Sequence, residues 1–161
     1  MTTLRIVPLT DATEHREIII DWLWQAFGSE ESRDFFASVI DSSLAGSDLP
    51  ITFVALDGER PVGTVGLWRC DLVSRQDLFP WLAALYVDES WRGRGLSERL
   101  QQIIIDCCRQ RGDENLYLYS ACKGYYEKFG WRYIGDALDY PATTVHLYSK
   151  PLSSDAEPLS R

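Results

Sequence analysis

The sequence predicts a single α/β domain, and three observations support this fold class. The chain has 161 residues, of which 45% are hydrophobic and 25% charged, as in ordinary soluble domains. About six to seven strand-like segments alternate with segments of helical spacing. The near-continuous apolar run FPWLAALYV at 79–87 leads through a glycine-rich loop into a helix, which is typical of a strand buried on both faces.

The amino-terminal part of the chain predicts one short strand and two helices. The strand is LRIVPL at 4–9. The first helix lies within 11–28, where apolar residues recur at i, i+3 and i+4 before Gly28. The second helix lies within 29–46, where a serine and acidic residues open the run and Gly46 ends it. Two helices therefore precede the main sheet.

The rest of the chain predicts further strands and two more helices. Residues 51–68 predict a hairpin, because two apolar β-branched runs flank the turn DGER. The strand at 79–87 follows, with Pro80 at its start, where a missing ladder donor is tolerated. A helix is predicted at 97–110. After it come a strand, a short helix and two strands, at 116–120, 124–130, 131–138 and 143–150.

Composition and charge exclude several classes of protein. No apolar run approaches the roughly 20 residues that cross a bilayer. The start of the chain lacks the apolar core of a signal peptide, so a cytoplasmic location is expected. The net charge of −8 argues against nucleic acid or membrane partners and favours a cationic one.

One domain at 1–151 is expected, followed by a polar, flexible tail at 152–161.

The cysteines and histidines do not predict a metal site. The four cysteines form no C-x-x-C pair, so we expect buried thiols in a reducing compartment. His15 lies near a helix start and is expected to be exposed. His146 alternates with apolar residues and is expected to face solvent or a substrate cleft.

The stretch WRGRGLSERL at 91–100 predicts an anion site. Free N–H groups and the dipole at a helix start attract anions, and Gly93 and Gly95 let a ligand approach the backbone closely. Arg92 and Arg94 add charge and bidentate donors. The stretch matches neither the Walker loop nor the dinucleotide fingerprint. An RNA-binding tract would be repetitive, and the acidity of the chain opposes it.

With its preceding strand, this stretch resembles the acetyl-CoA-binding segment of the GNAT acetyltransferase superfamily, over 85–112. The shared pattern is Gln/Arg-x-x-Gly-x-Gly/Ala between a central strand and a helix. Arg92 and Gly95 match this pattern. Ser97 stands at the last position, where it departs from the Gly or Ala of the pattern but is also small. A second stretch, GYYEKFGW at 124–131, is similar to the family's later aromatic segment. The order of elements agrees over almost the whole chain.

The resemblance implies a fold and a reaction. The fold is one domain with a mixed, twisted sheet flanked by helices. The reaction is direct transfer of the acetyl group of acetyl-CoA, the co-substrate, to an amine in a ternary complex, without a metal. A main-chain N–H near Leu85 would polarise the thioester carbonyl. The family pattern places the pantetheine arm and the diphosphate against the backbone of Leu85, Tyr86, Val87, Arg92, Gly93, Arg94, Gly95, Leu96 and Ser97.

The resemblance also implies one catalytic side chain. Tyr126 aligns with the family's tyrosine that protonates the departing thiolate, and the alternative is that Tyr125 and Tyr126 are packing aromatics. Some members carry a glutamate on the central strand, but WLAALYV contains no acid. The general base is therefore open: Asp77 and Asp71 are candidates, and a water chain is another.

The sequence thus predicts an acetyl-CoA-dependent N-acetyltransferase. Its acceptor is a small-molecule or protein amine, and the negative charge favours a small cationic amine. The alternative is a non-catalytic acyl-CoA-binding regulatory module on the same fold. The family often forms dimers, which leaves a homodimer open, and the sequence itself does not decide the oligomeric state.

Overall fold

The computed structural model describes residues 3–46 and 48–152. Within them the chain forms three α-helices, α1 (Arg16–Phe27), α2 (Arg33–Ser43) and α3 (Leu96–Arg111). The strands in chain order are β1 (Leu4–Pro8), β2 (Ile51–Asp57), β3 (Arg60–Trp68), β4 (Trp81–Val87), β5 (Asn115–Ser120), β6 (Arg132–Asp139) and β7 (Thr143–Pro151). The predicted tail lies outside the described residues from position 153 onward. Its first residue, Leu152, is instead buried, and its N–H donates to the Glu114 carbonyl at 2.9 Å.

The strands form one mixed sheet in the order β1-β2-β3-β4-β5-β7-β6. β1, β2 and β3 pair antiparallel, and so do β5, β7 and β6. β4 and β5 run parallel, with Trp81 opposite Tyr117. The helices α1 and α2 precede β2, as predicted. The predicted fold class, an α/β domain with a mixed sheet, is therefore confirmed. No helix in the described part of the chain is long and apolar enough to span a bilayer.

The chain divides into two compact units, which share β4 and α3 between them. Within the described residues, the first unit comprises residues 3–46, 48–67 and Ala84–Ile103, and the second comprises Trp68–Ala83 and residues 104–152. In β4, the residues before Ala84 belong to the second unit and those from Ala84 onward to the first. In α3, the residues up to Ile103 belong to the first unit and those from Ile104 onward to the second. Each unit has a hydrophobic core of its own.

The core of the first unit lies between its two early helices and the sheet. Because apolar residues recur at helical spacing in α1 and α2, one face of each helix is buried. Arg16 of α1 binds Asp41 of α2 through two hydrogen bonds of 2.6 and 2.8 Å. The core members are Leu9, Ala12, Ile19, Ile20, Trp22, Leu23, Phe36, Ile40, Val54 and Leu56, with Ala84 and Tyr86 packed against them.

A glycine in β3 determines how closely α3 approaches the sheet. A Cβ atom on Gly63 would lie 3.1 Å from the Leu96 side chain and 3.1 Å from the Tyr86 carbonyl oxygen. Such contacts are tighter than most side chains tolerate, so only glycine lets the first turn of α3 lie against β3 without displacement. Gly63 thus fixes the position of the start of α3.

The core of the second unit surrounds Trp81. Its ring is fully buried, and its indole N–H donates to the Leu78 carbonyl at 2.8 Å. Tyr117 and Tyr119 of β5 contact the ring, with centroid distances of 6.1 and 6.4 Å. Leu72, Val145 and Leu147 complete the cluster. Because neighbouring residues of a strand point to opposite faces, Tyr117 and Tyr119 share one face of the sheet, opposite to Leu118.

Candidate active site

The anion site predicted from the sequence lies in the first unit, in a loop that we call the cradle loop (residues 92–97). The turn before it is held by Asp88, whose carboxylate accepts hydrogen bonds from the N–H and hydroxyl groups of Ser90. Arg60 of β3 also donates to Asp88, at 3.1 Å, and the Asp88 N–H donates to the Val62 carbonyl at 2.8 Å. The strand β3 therefore anchors the entrance to the cradle loop.

The two glycines of the cradle loop adopt a conformation that L-residues rarely adopt. The φ angles are +75° at Gly93 and +81° at Gly95, and a Cβ atom on either would meet no atom within 4 Å. Among the described residues, none accepts a hydrogen bond from the N–H groups of Gly93, Arg94, Gly95 and Leu96. Four adjacent donors thus open at the start of a 16-residue helix, where the dipole favours negative charge.

The arginines of the cradle loop lie beside these donors. Arg92 donates from Nε to the Val87 carbonyl at 2.9 Å, and its guanidinium lies 5.5 Å from the Tyr86 ring. Arg94 lies over the Trp91 ring at 4.3 Å. Both arginines remain exposed, so they place positive charge at the mouth of the loop. Such a loop is chemically suited to a diphosphate.

The last predicted members of the cradle loop lie in the first turn of α3. Leu96 is buried, and Ser97 is half-buried with its hydroxyl accepting from the Gln101 amide at 3.3 Å. The residues that precede the loop on β4, Leu85, Tyr86 and Val87, are all half-buried. Tyr86 contacts Trp22 of α1, with ring centroids 5.1 Å apart.

Strand β4 contains an irregularity that the sequence did not indicate. Ala84 has φ +55°, in the left-handed region that residues with a Cβ seldom adopt. A left-handed residue inside a strand turns the neighbouring peptide groups away from the regular ladder, as in a β-bulge. The irregularity directly precedes Leu85, whose amide the family resemblance assigns to the thioester carbonyl. Alanine has no special preference for this conformation, so no sequence signal marks it.

The predicted general acid lies in the second unit, on the short 3-10 helix Tyr126–Phe129. The Tyr126 ring contacts Tyr125, Trp131 and Tyr148, with centroid distances of 5.0, 6.2 and 6.1 Å. Burial, with a smaller contribution from Tyr125, raises the pKa of Tyr126 to about 12. Within the described residues its hydroxyl has no hydrogen-bond partner. Tyr125 is more exposed, at 39%.

Glu127 holds this short helix in place. Its carboxylate accepts from the Tyr148 hydroxyl at 2.8 Å and from the Gly124 N–H at 2.8 Å. Gly130, with φ +89°, ends the helix in the left-handed conformation. Glu127 is exposed, as the sequence predicts for a solvated helix face, but its role as an anchor was not expected.

The two candidate bases have opposite surroundings. Asp77 is exposed, and both of its oxygens accept from Arg75, at 3.0 and 2.8 Å. The hydrogen bonds from Arg75 hold the pKa of Asp77 below its usual value, so this carboxylate is a poor proton acceptor. Burial, together with the negative charge of Asp139, raises the pKa of Asp71 to about 8. The assignment of a general base to either residue, or to a water chain, stays a prediction.

Each histidine lies beside a carboxylate group. His15 is half-buried rather than exposed, with Nε2 3.8 Å from Glu14. His146 Nδ1 lies 2.7 Å from Asp136, which also accepts from the Tyr133 hydroxyl at 2.6 Å. Across residues 3–46 and 48–152, no group of three or more His, Cys, Asp or Glu side chains could hold a metal ion. The four cysteines are free thiols, but Cys70 and Cys122 are exposed, so the expectation of buried thiols is wrong for these two.

A mixed sheet flanked by helices, with a row of open amides at the start of α3, defines an α/β protein suited to binding a phosphate-bearing ligand. The family model described as the acetyltransferase (GNAT) family matches residues 16–131. The chain therefore belongs to this family of acetyltransferases, which confirms both the predicted family and the predicted enzyme class.

Known proteins with similar sequences or structures agree with this assignment. N-alpha-acetyltransferase 30 of Schizosaccharomyces pombe is 29% identical over 85 residues, which are 50% of this chain and 56% of that protein. The chain thus spans about half the length of this curated relative. Aminoglycoside 6'-acetyltransferase type Ii is 19% identical, covers 92% of this chain and 97% of its own, and gives a TM-score of 0.72.

A third similar protein carries the co-substrate. A GNAT family acetyltransferase from Elizabethkingia anophelis, solved with acetyl-CoA bound, is 18% identical and gives a TM-score of 0.68. The match covers 92% of this chain and 98% of that one. At such identities the two solved structures show that the fold is shared.

Proposed function

We propose that this chain transfers the acetyl group of acetyl-CoA directly to an amine in a ternary complex. The observation that carries the proposal is the row of four open N–H groups, Gly93 to Leu96, at the start of α3. Adjacent amides with a helix dipole suit the diphosphate of coenzyme A. The acetyl-CoA bound by the similar Elizabethkingia protein supports the same co-substrate.

The reaction divides between the backbone and one side chain. In the proposal, the N–H near Leu85 donates to the thioester oxygen, so negative charge can develop there during attack. The amine nitrogen forms a bond to the carbonyl carbon, and the carbon–sulfur bond breaks. Tyr126 gives its proton to the departing thiolate, which leaves as the free thiol. The nitrogen loses one proton to solvent as the amide forms, and the Tyr126 phenolate takes one back from solvent. A phenol is protonated at neutral pH, as a general acid must be, and burial, which raises the pKa of Tyr126, keeps it so.

A small cationic amine is the proposed acceptor. The net charge of −8 attracts cations, and one structurally similar protein acts on aminoglycosides, as its name says. A protein amino terminus is the second candidate, because the curated relative is named as an N-alpha-acetyltransferase. The four free thiols suit a reducing compartment, and we propose the cytoplasm as the location.

A thiol-release assay tests the proposed function. Purified protein is incubated with acetyl-CoA and, separately, with polyamines, aminoglycosides, arylalkylamines and short peptides, and free coenzyme A is measured. We expect amine-dependent release with at least one small cationic amine. Coenzyme A binding without release for every acceptor would instead establish the non-catalytic acyl-CoA-binding module. Release of coenzyme A with peptides alone would identify protein amino termini as the acceptors instead.

A further inference from the structure

His146 and Asp136 form a hydrogen-bonded pair on the sheet of the second unit. His146 lies on β7 directly opposite Asp136 on β6, and its Nδ1 lies 2.7 Å from the Asp136 carboxylate. The Tyr133 hydroxyl donates to the same carboxylate oxygen at 2.6 Å, and the Lys123 ammonium lies 4.4 Å from the centre of the Tyr133 ring. Two partners therefore fix the position of the Asp136 carboxylate beside the imidazole.

The surroundings of Asp136 determine which nitrogen of His146 carries the hydrogen. The hydrogen bond from Tyr133, and after it the one from His146, hold the pKa of Asp136 below its usual value, so this carboxyl group is ionised at neutral pH. An ionised carboxylate only accepts hydrogen bonds, so Nδ1 of His146 is the donor. A neutral imidazole has one N–H, which leaves a lone pair on Nε2. Across residues 3–46 and 48–152, no group donates a hydrogen bond to this Nε2.

The His146 ring lies on the same face of the sheet as Tyr126, the proposed general acid. Residues two apart on a strand share a face and are about 7 Å apart, which holds for His146 and Tyr148 of β7. The Tyr126 and Tyr148 rings have centroids 6.1 Å apart. The Tyr133 ring contacts both Tyr148 and His146, with centroid distances of 5.9 and 6.2 Å. Ring contacts therefore continue without a gap from Tyr126 to His146.

Stabilisation of the sheet does not account well for this pair. β6 and β7 already pair as antiparallel strands from Arg132 to Asp139. The side chains of His146 and Asp136 are 21% and 47% exposed, and ion pairs in contact with solvent contribute little to stability. The same exposure lets a small ligand reach the imidazole. An oriented imidazole with a free lone pair is a group suited to accepting a proton.

We propose that Nε2 of His146 is the general base that takes a proton from the acceptor amine. This inference rests on the proposed function and deepens it. As the neutral amine forms its bond to the carbonyl carbon, one N–H bond of the nitrogen breaks and the proton moves to Nε2. The Asp136 carboxylate stabilises the imidazolium that forms, and the imidazolium then gives the proton to solvent. Asp136 is a positioning residue that acts through His146.

A pair of histidine variants tests the role of the imidazole. His146→Asn removes Nε2 but keeps a donor for Asp136, because the asparagine amide stands near the position of Nδ1. His15→Asn is the matched control, since His15 is the other histidine of the chain, is half-buried and lies beside Glu14. With an amine that the wild type acetylates, kcat should fall by about 100-fold in His146→Asn and stay unchanged in His15→Asn. Affinity for coenzyme A, measured by calorimetry, should stay unchanged in both variants and shows that they fold.

The pH profile distinguishes a proton acceptor from a structural residue. The groups that face the imidazole are Asp136, Tyr133, Ser120 and, across the Tyr133 ring, Lys123. We measure kcat/KM between about pH 5 and 8 and express it per neutral amine, so that ionisation of the acceptor does not contribute. In the wild type it should fall toward acid pH, because a protonated imidazole accepts no proton, and in His146→Asn this fall should be absent. Asp136→Asn should lower kcat by at least about 10-fold, because its amide can donate to Nδ1 and leave the hydrogen on Nε2.

The position of the hydrogen can be measured on the wild type itself. Long-range proton–nitrogen NMR above neutral pH reports which nitrogen of each histidine carries the hydrogen, and His15→Asn assigns the two sets of signals. We expect the hydrogen of His146 on Nδ1. A hydrogen on Nε2 would overturn the proposal, because this nitrogen would then have no lone pair to accept the proton.

The kinetic outcomes separate this proposal from the proposed function. Acetyl transfer by the wild type, with the same rate and pH profile in His146→Asn, would overturn the role of His146 and leave the proposed function intact. Equal losses of kcat in the two histidine variants, or a loss of coenzyme A affinity in His146→Asn as large as its loss of kcat, would reveal a structural effect and also overturn that role. Absence of transfer by the wild type to every amine would overturn the proposed function, and the role of His146 with it.

Discussion

At the scale of single residues, the proposed chemistry depends on a phenol that must hold its proton until the thiolate leaves. Tyr126 is half-buried among aromatic rings, and burial raises its pKa to about 12. The pKa of a thiol is about 8.5, so this shift keeps the phenol protonated but does not strengthen it as an acid. In the proposal, the contribution of Tyr126 therefore depends on the position of its hydroxyl group.

The first residue-scale prediction concerns the general acid. Tyr126→Phe removes only the phenol hydroxyl, which has no hydrogen-bond partner within the described residues, so the fold should remain. We expect kcat to fall by about 100-fold, because the thiolate must then leave unprotonated. Affinity for coenzyme A, measured by calorimetry, should change little. Tyr125→Phe is the comparison. A larger loss of kcat in Tyr125→Phe than in Tyr126→Phe would identify Tyr125 as the general acid instead.

The sequence could identify single residues only where a local pattern marks them. Tyr126 was found through its register in an aromatic stretch, and the structure places it in more buried surroundings than Tyr125. Asp71 could be named only as one of two candidate side chains, because a charge that contributes to its raised pKa belongs to Asp139, 68 positions later in the chain. The left-handed Ala84 could not be predicted, since alanine disfavours that conformation.

At the scale of elements, regular patterns predicted the strands well and helix starts less well. The strand β5 was predicted at 116–120 and is observed at Asn115–Ser120. The second helix was expected to begin near Ser29 but begins at Arg33. The reason is local: the Ser29 N–H donates to the Ser32 hydroxyl at 2.7 Å, and this contact closes a turn before the helix. Serines can either cap a helix or close a turn, so periodicity alone does not decide between them.

The element-scale prediction concerns the cradle loop. Gly95→Ala puts a Cβ on a residue with φ +81°, which costs about 1–2 kcal/mol although no atom lies in the way. The loop can relieve this cost by rotating its amides away from the diphosphate. We therefore expect about 10-fold weaker coenzyme A binding by calorimetry.

A matched variant separates binding from stability in this experiment. Gly58→Ala, in the turn between β2 and β3, also acts on a left-handed glycine, with φ +63° and open space around it. It should lower the melting temperature about as much as Gly95→Ala and leave coenzyme A affinity unchanged. Equal loss of affinity in both variants would mean that the amides of the cradle loop do not bind the diphosphate.

At the scale of the whole molecule, the fold assigns its tasks to separate parts of one chain. The first unit contains the cradle loop and the second contains Tyr126, while β4 and α3 belong to both. Alternation of strands and helices was enough to predict this α/β architecture. The packing of Trp81 with Tyr119 of β5 and Leu147 of β7 was not predictable, because it requires the strand order β4-β5-β7.

The net charge of −8 leads to a prediction for the entire protein. A cationic acceptor is attracted by this charge, and salt screens the long-range part, with a Debye length of about 30 Å at 0.01 M and about 10 Å at 0.1 M. KM for a cationic amine should therefore rise several-fold over this range while kcat stays constant. KM for acetyl-CoA, an anion, should stay level or fall. An arylamine that is neutral at the assay pH serves as the control acceptor, and its KM should not change. A KM for the cationic amine that falls with salt would show that charge does not guide the acceptor to this protein.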